Sequence, residues 1–333
     1  MKIFAYAMRE FDEKKFWDQL SREFQTEYGY TTEYPSLENA SLAEGYDAVC
    51  VTPCDLNLRI IDKFHEMGIK CVATRSIGYD HMDLTYLKSL GMGASHVEYA
   101  PETVADYSIM LMLMCCRNIC HILKRADIQD FSLKGKMGKD ICDCTVGIIG
   151  TGKIGQTVIR HLHGFGCKIL AYDIYPNESM KQYVEYVSLE ELYQNSDIIS
   201  LHVPATADNY HLINEQAFEQ MREGVILINT ARGSLIDEEA LIRALESGKI
   251  GQAGLDVWEQ ENGMIYVNLM EEPIKNRTYS MIKSFPNVIL APHTAFYTEK
   301  VVSTMAYNAL KCIHDMLEHN ENPLILQYPK NID

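Results

Sequence analysis

Three polar clusters close three successive apolar runs in the second half of this chain. Asn229-Thr230-Ala231-Arg232-Gly233 follows VILI, Asp256-Val257-Trp258-Glu259-Gln260-Glu261 follows QAGL, and His293-Thr294 follows NVILAP. A guanidinium, a carboxylate and an imidazole together suit hydride transfer to a 2-keto acid. Arg232 offers a planar, permanently charged fork for the acid's carboxylate and its keto oxygen. His293, with an ordinary pKa of about 6.5, can hand a proton to that oxygen. A neighbouring carboxylate would hold the imidazole protonated until the hydride arrives, and Glu259 and Glu261 both stand in the right stretch. Singly, each residue has a blander explanation: a surface arginine, a solvated carboxylate, a packed histidine. Agreement at three strand ends sets these three apart, whereas His96 and His202 carry no such support and are given no role.

A second constellation lies upstream. Gly150-Thr151-Gly152-Lys153-Ile154-Gly155 follows the apolar run TVGII and precedes a helical pattern, the context that a dinucleotide fingerprint requires. Gly150 permits the tight turn, Gly152 lets a pyrophosphate approach the backbone, and Gly155 lets helix and strand pack closely. The helix N-terminus offers unpaired N–H groups and a positive dipole end to the phosphates. Asp173 ends the next apolar run, where a carboxylate can bond both ribose hydroxyls and repel a 2′-phosphate. The expected cofactor is therefore NAD rather than NADP.

These groups need strands to carry them. KIFAYA (2–7), YDAVCVT (46–52) and IKCVAT (69–74) form an early set; TVGIIG (145–150), KILAYD (168–173), DIISLHV (197–203), VILINT (225–230), QAGLDV (252–257) and NVILAP (287–292) form a later one. The later runs are nearly continuously apolar, as strands covered on both faces by helices are. Helix-sized segments at 154–165, 189–195 and 238–247 separate them, so the expected class is α/β with two doubly wound parallel-sheet domains, Rossmann-like or flavodoxin-like, and a cleft between them. Ligands in such sheets gather at the carboxyl ends of the strands. Pro101 marks a boundary, since proline is favoured at the first helical position. The division expected is 1–100 plus 298–333 as substrate domain and 101–297 as NAD-binding domain. The helix opening at Pro101 runs towards Ile122 and is apolar on every face of its middle turns. Covering that surface favours a homodimer over burial between domains.

Composition narrows the partners. With 333 residues, 47% hydrophobic and 23% charged, the chain reads as a globular protein long enough for two domains. A net charge of −16 argues against nucleic acid, though one arginine can still capture a small acid. No apolar run approaches the roughly 20 residues of a membrane span, and the N-terminus lacks a signal-peptide pattern, so a cytoplasmic location is expected. The ten cysteines are scattered and read as reduced thiols. Cys142-Asp143-Cys144 has no second Cys or His cluster to complete a tetrahedral site, so no metal is expected.

The segments KIFAYAMRE, TRSIGYDHMD, YAPETVADYSIMLML, GTGKIG, LHVP, INTARGSLID, ESGKIGQAGLDVWEQE and PNVILAPHTAFYTE span nearly the whole chain. In them the sequence resembles the D-isomer-specific 2-hydroxyacid dehydrogenases, most closely the D-lactate dehydrogenase branch. The resemblance implies a catalytic set of Arg232, Glu261 and His293; its Asp-x-x-x-x-Glu spacing from Asp256 selects Glu261 over Glu259. It also implies Lys153 and Ile154 at the phosphates, Asp173 at the ribose and Val203 and Pro204 beside the adenosine, with Asn209, Thr230, Ala231 and Asp256 completing the cofactor contacts. The Ile77 and Gly78 amides are expected to hold the substrate carboxylate, with Tyr99, Tyr79 and Phe296 as walls. Lactate-specific relatives commonly carry an aromatic residue after the second strand; Thr52-Pro53-Cys54 stands there instead. Pyruvate reduction to D-lactate is the first expectation. A larger acid (2-hydroxyisocaproate, phenyllactate or 2-hydroxyglutarate as product) is the alternative within the class, and a corepressor-like NAD-sensing protein the alternative outside it. A phosphoglycerate dehydrogenase is not expected, since no regulatory domain follows the last helix.

Overall fold

A computed structural model describes residues 1–330. The chain divides into two compact units, Met1–Ala100 with Tyr297–Asp333, and Pro101–Phe296. The division expected from the sequence places its breaks before residue 101 and before residue 298.

In the first unit β1 (Lys2–Ala5), β2 (Glu27–Tyr30), β3 (Ala48–Val51), β4 (Cys71–Thr74) and β5 (Gly93–Ser95) run parallel in the order β2-β1-β3-β4-β5. This is the flavodoxin-like order, with its switch point between β1 and β3. One strand departs from an all-parallel sheet. Ile325–Gln327 pairs antiparallel with β5 at the sheet's edge. Phe4, Val49, Val51, Val72 and Ala94 meet Ile60, Ile61 and Phe64 of the helix Leu58–Glu66 in one core. The helix Glu299–Leu317 returns the chain to this unit and buries Val302, Met305, Ala309, Cys312, Ile313 and Met316.

The second unit carries β6 (Thr145–Ile149), β7 (Lys168–Tyr172), β8 (Glu185–Tyr186), β9 (Ile198–Leu201), β10 (Val225–Asn229), β11 (Ile250–Leu255) and β12 (Val288–Leu290). All are parallel, in the order β8-β7-β6-β9-β10-β11-β12. This is the Rossmann order, reversing between β6 and β9. Successive side chains enter opposite cores, as a strand period of two demands. Val146, Ile148, Ile226 and Ile228 pack with Ile109, Met112, Val158 and Leu162, while Ile149, Leu201, Leu227 and Leu255 pack with Phe218, Leu241 and Leu245.

The helix opened by Pro101 does not continue to Ile122. It spans Glu102–Cys116 and ends at Arg117; Asn118 is left-handed with φ +51°, and a second helix runs Ile119–Asp127. Asparagine visits that backbone more readily than most residues, and here its amide reaches across to donate to the Met137 carbonyl at 2.8 Å. Among the described residues no helix is long and apolar enough to cross a membrane, and no group of three or more His, Cys, Asp or Glu could hold a metal ion.

Candidate active site

The glycine turn stands at the β6–β9 switch point. Gly150 has φ +97°, and a Cβ there would lie 2.6 Å from the His202 carbonyl oxygen; at Gly155 it would lie 2.0 Å from the Gly150 oxygen. Both positions therefore admit only glycine. At Gly152 the same construction meets nothing within 4 Å, which is the room a pyrophosphate needs against the backbone. Gly152 caps the helix Lys153–His163, so Lys153 and Ile154 lie in a first turn whose amides lack intrahelical partners. Asp173, one residue beyond β7, is drawn to this turn: its Oδ2 accepts from the Thr151 amide at 2.5 Å and the Thr151 hydroxyl at 2.9 Å. Its Oδ1 accepts from the Tyr175 amide at 2.9 Å. Tyr186 in turn donates to the Thr151 hydroxyl at 3.1 Å. A carboxylate so oriented, beside an open glycine, fits NAD.

After β9, His202 lies against Ser200 at 2.9 Å, and burial pushes its imidazole down to about 4. Val203 and Pro204 follow. Asn209 closes this loop by accepting from the Thr206 amide at 2.8 Å and donating to the Pro204 carbonyl at 2.7 Å.

The expected catalytic residues follow β10, β11 and β12, neighbours in the sheet. Buried Asn229 shapes the first turn, accepting from the Ala231 amide at 3.0 Å and donating to the Arg232 carbonyl at 2.9 Å. The Arg232 guanidinium donates to the Ala231 carbonyl at 2.8 Å. Thr230 is fixed by the Ser108 hydroxyl at 2.7 Å. Gly233 follows because a Cβ there would lie 2.0 Å from the Trp258 backbone, so the Arg232 turn packs directly on the turn after β11.

That turn separates the two glutamates. Glu261 Oε1 lies 2.7 Å from His293 Nδ1, with both side chains largely sheltered. Glu259 points elsewhere, accepting from the Tyr210 hydroxyl at 2.8 Å and lying 3.2 Å from His211 Nε2. Its amide donates to Glu238 at 2.7 Å, and Glu238 is buried enough for its carboxyl to be raised. Asp256 is fully buried, and both carboxylate oxygens accept amides of the His293 turn, those of Thr294 and Ala295 at 2.8 Å. Burial raises its carboxyl, and those two N–H groups pull it back. Phe296 stands edge-on to His293, with ring centroids 6.4 Å apart, and Tyr266 joins both rings.

In the first unit, the loop after β4 holds Ile77 and Gly78. Ser76 donates to the Gly78 carbonyl at 2.6 Å, and His96 Nδ1 lies 2.9 Å from the Ile77 carbonyl. Tyr79 stacks edge-on with His96 at 5.2 Å, and Tyr99 follows β5. Arg75, wholly buried, pairs with buried Glu13 at 2.7 Å and donates to the Tyr6, Ala7 and Cys50 carbonyls. Among residues not anticipated are Asn229, Tyr107, Tyr266, His96 and Arg75. Asn229, Arg75 and His96 left a trace in the sequence, as polar residues at the ends of apolar runs, and His96 is given no role there.

A Rossmann unit with a glycine turn, an acidic residue after the second strand and a histidine–carboxylate pair defines an NAD-dependent oxidoreductase. The comparisons with known proteins give the particular group. The family model for the D-isomer specific 2-hydroxyacid dehydrogenase NAD binding domain matches residues 109–295. An aromatic 2-oxoacid reductase of Clostridium sporogenes is 42% identical over 314 residues, 92% of this chain and 93% of that one. The D-lactate dehydrogenase of Escherichia coli K12 is 36% identical over 319 residues, 95% and 97% of the two chains. The solved structure of a Lactobacillus jensenii D-lactate dehydrogenase with NAD+ covers 98% of this chain and 100% of its own, with TM-score 0.82 and 28% identity. The chain belongs to the D-isomer-specific 2-hydroxyacid dehydrogenase family and uses NAD.

Proposed function

We propose that this chain reduces a 2-keto acid to the D-2-hydroxy acid. The observation behind the reading is the 2.7 Å His293–Glu261 pair, with Glu261 after β11, the neighbour of the strand that carries Arg232, and His293 after β12, the next strand beyond. Arg232 takes the substrate carboxylate and polarises the keto oxygen. His293 gives its Nε2 proton to that oxygen, and Glu261 accepts from Nδ1–H, which fixes the tautomer and stabilises the imidazolium. Bound NADH supplies the hydride. The Gly150–Gly155 turn with Lys153 and Ile154 takes the phosphates, Asp173 the ribose, and Val203, Pro204, Asn209, Thr230 and Ala231 the rest of the dinucleotide. The Ile77 and Gly78 amides take the substrate carboxylate, and Tyr99 and Phe296 wall its side chain.

Pyruvate is the first substrate to test, giving D-lactate. A larger side chain is the second reading, and two observations favour it. Thr52, buried just beyond β3, falls in the stretch where the resemblance leads one to expect an aromatic residue in lactate-specific relatives, and a relative 42% identical is named for aromatic 2-oxo acids. NADH oxidation measured in parallel with pyruvate, 2-ketoisocaproate, phenylpyruvate, oxaloacetate and 2-ketoglutarate separates them. A pyruvate preference supports D-lactate dehydrogenase; an aryl or branched preference moves the chain to the second reading. No turnover with any of them, despite NADH binding, overturns the enzymatic assignment in favour of NAD sensing. His293→Ala is expected to abolish most turnover with NADH affinity unchanged, and near-normal turnover would remove His293 from its role.

The assembly proposed is a cytosolic homodimer. A depression of about 440 Å³ on the helix Glu102–Cys116 is lined by Met110, Leu113, Met114 and Phe165 beside the Asp106–His161 pair. Nearby in sequence, Ile128, Phe131, Leu133 and Met137 are all highly exposed. An apolar surface of this kind favours association, and sedimentation giving only a 38.0 kDa species would refute it.

A further inference from the structure

His293 adopts left-handed backbone, φ +54°. A residue with a side chain persists there only where its surroundings hold it, and such residues cluster at functional sites. Here the peptide groups on both sides of the residue are held. Its amide donates to the Asp256 carbonyl at 2.7 Å, and its carbonyl accepts from the Tyr266 hydroxyl at 2.9 Å. The Thr294 and Ala295 amides that follow are taken by the Asp256 carboxylate. The Thr294 hydroxyl lies 3.1 Å from the hydroxyl of Tyr107 and 3.5 Å from Asp256 Oδ1. Tyr107 comes from the helix Glu102–Cys116, and Tyr266, itself left-handed at φ +62°, from the turn beyond Glu261.

We propose that Tyr107 and Tyr266 are positioning residues for proton transfer, holding the His293 backbone in its strained conformation so that the imidazole stays on Glu261. This role rests on His293 as the proton donor. The His293 carbonyl and the Thr294 N–H share one planar peptide group, which must rotate if the residue is to relax to the ordinary right-handed or extended region. Asp256 holds that group by its N–H at 2.8 Å, and the Tyr266 hydroxyl holds it by its carbonyl at 2.9 Å, a second restraint on the same rotation. Tyr107 acts one residue later, restraining the Thr294 side chain, whose hydroxyl and amide both reach the buried Asp256 carboxylate. A released His293 spends part of its time off Glu261, and turnover falls with the occupancy of the aligned pose. The glycine turn and Asp173, which take the phosphates and the ribose, belong to other loops, so cofactor affinity is expected to change little.

The test uses Tyr107→Phe, Tyr266→Phe and the double variant in the full chain, each losing one oxygen per site and keeping the ring. The expected result is a kcat lowered about threefold to tenfold by each change, the range one net hydrogen bond spans, and further by the two together. NADH affinity, read from cofactor fluorescence, stays within about twofold of the parent. The solvent deuterium isotope effect on kcat/KM for the keto acid rises as proton delivery becomes more rate-limiting, which lost packing alone would not produce. A double variant with unchanged kcat and isotope effect overturns the proposal, as does a loss of kcat that follows a parallel loss of NADH affinity or folded protein. His293→Ala separates the two levels. If it stays active, the proton-donor reading falls; if it is inactive while the double variant is normal, only the positioning role falls.

Discussion

Replacing Glu261 with glutamine isolates charge from geometry in the proposed proton-transfer pair. The amide keeps the length of the side chain and an acceptor for the His293 Nδ1–H, and loses only the negative charge. The wild-type contact is 2.7 Å, with side chains 21% and 17% exposed for His293 and Glu261. At about 4 Å between charge centres and an effective dielectric of about 20, the Coulomb term is about 4 kcal/mol. Water at the exposed fraction and the neutral hydrogen bond that survives reduce this to about 1.5–3 kcal/mol, the range for hydrogen bonds to charged groups. Since about 1.4 kcal/mol is a factor of ten in rate, the loss expected in kcat is about tenfold to 150-fold. The assay is steady-state NADH oxidation at saturating cofactor with the best 2-keto acid, run beside Glu259→Gln. Glu259 faces Tyr210 and His211 rather than His293, so this second variant should stay within about threefold of the parent. Near-parental activity of Glu261→Gln, or an equal loss in Glu259→Gln, would refute the electrostatic role.

Three further outcomes are expected. Asp173→Ala removes the carboxylate that repels a 2′-phosphate and should raise the ratio of NADPH to NADH efficiency; an unchanged ratio would exclude Asp173 from the ribose role. His202 stays neutral in the fold down to about pH 4, while an unfolded histidine takes its proton at about pH 6.5. The unfolded state therefore binds the extra proton as pH falls from about 6.5 to 4, and stability is lost over that window; His202→Asn should flatten the melting temperature there, and an unaltered slope would acquit His202. Arg75→Met leaves the buried Glu13 carboxylate with only the Arg9 ion pair at 3.9 Å and should destabilise the first unit by about 3 kcal/mol in denaturant unfolding, with an unchanged midpoint counting against the pair.

The elements most legible in the sequence are those with two apolar faces. Every strand from β6 to β12 except β8 is built mainly of Val, Ile, Leu, Ala and Gly, with single polar residues such as Ser200 and Gln252, because helices cover both sides of that sheet. The missed strands lack this signal for physical reasons. Glu27–Tyr30 is an edge strand with no buried residue, Gly93–Ser95 consists of small side chains, and Glu185–Tyr186 is two residues long. Ile325–Gln327 pairs with a strand more than two hundred residues earlier, which no local pattern encodes. The break at Asn118 is hidden because apolar residues continue on both sides of it.

The site divides along the same line. Groups at strand ends are visible, since the end of an apolar run fixes where the next polar side chain goes; Arg232, Asp256 and His293 all sit one to three residues past such an end. The partition of Glu259 and Glu261 is different. Two residues apart in an irregular turn, they differ by which histidine each meets, and those histidines come from sequence positions 211 and 293. Nothing local distinguishes them, and only the family spacing did. The two tyrosines lie further still from legibility, because each acts through a backbone atom or a hydroxyl on the His293 turn rather than through a motif. Side chains that perform the chemistry must be particular residue types at particular strand ends and so leave a pattern. Those that hold the chemistry in place need only reach it, from any element the fold brings near, and a sequence read in one dimension has no place to record that.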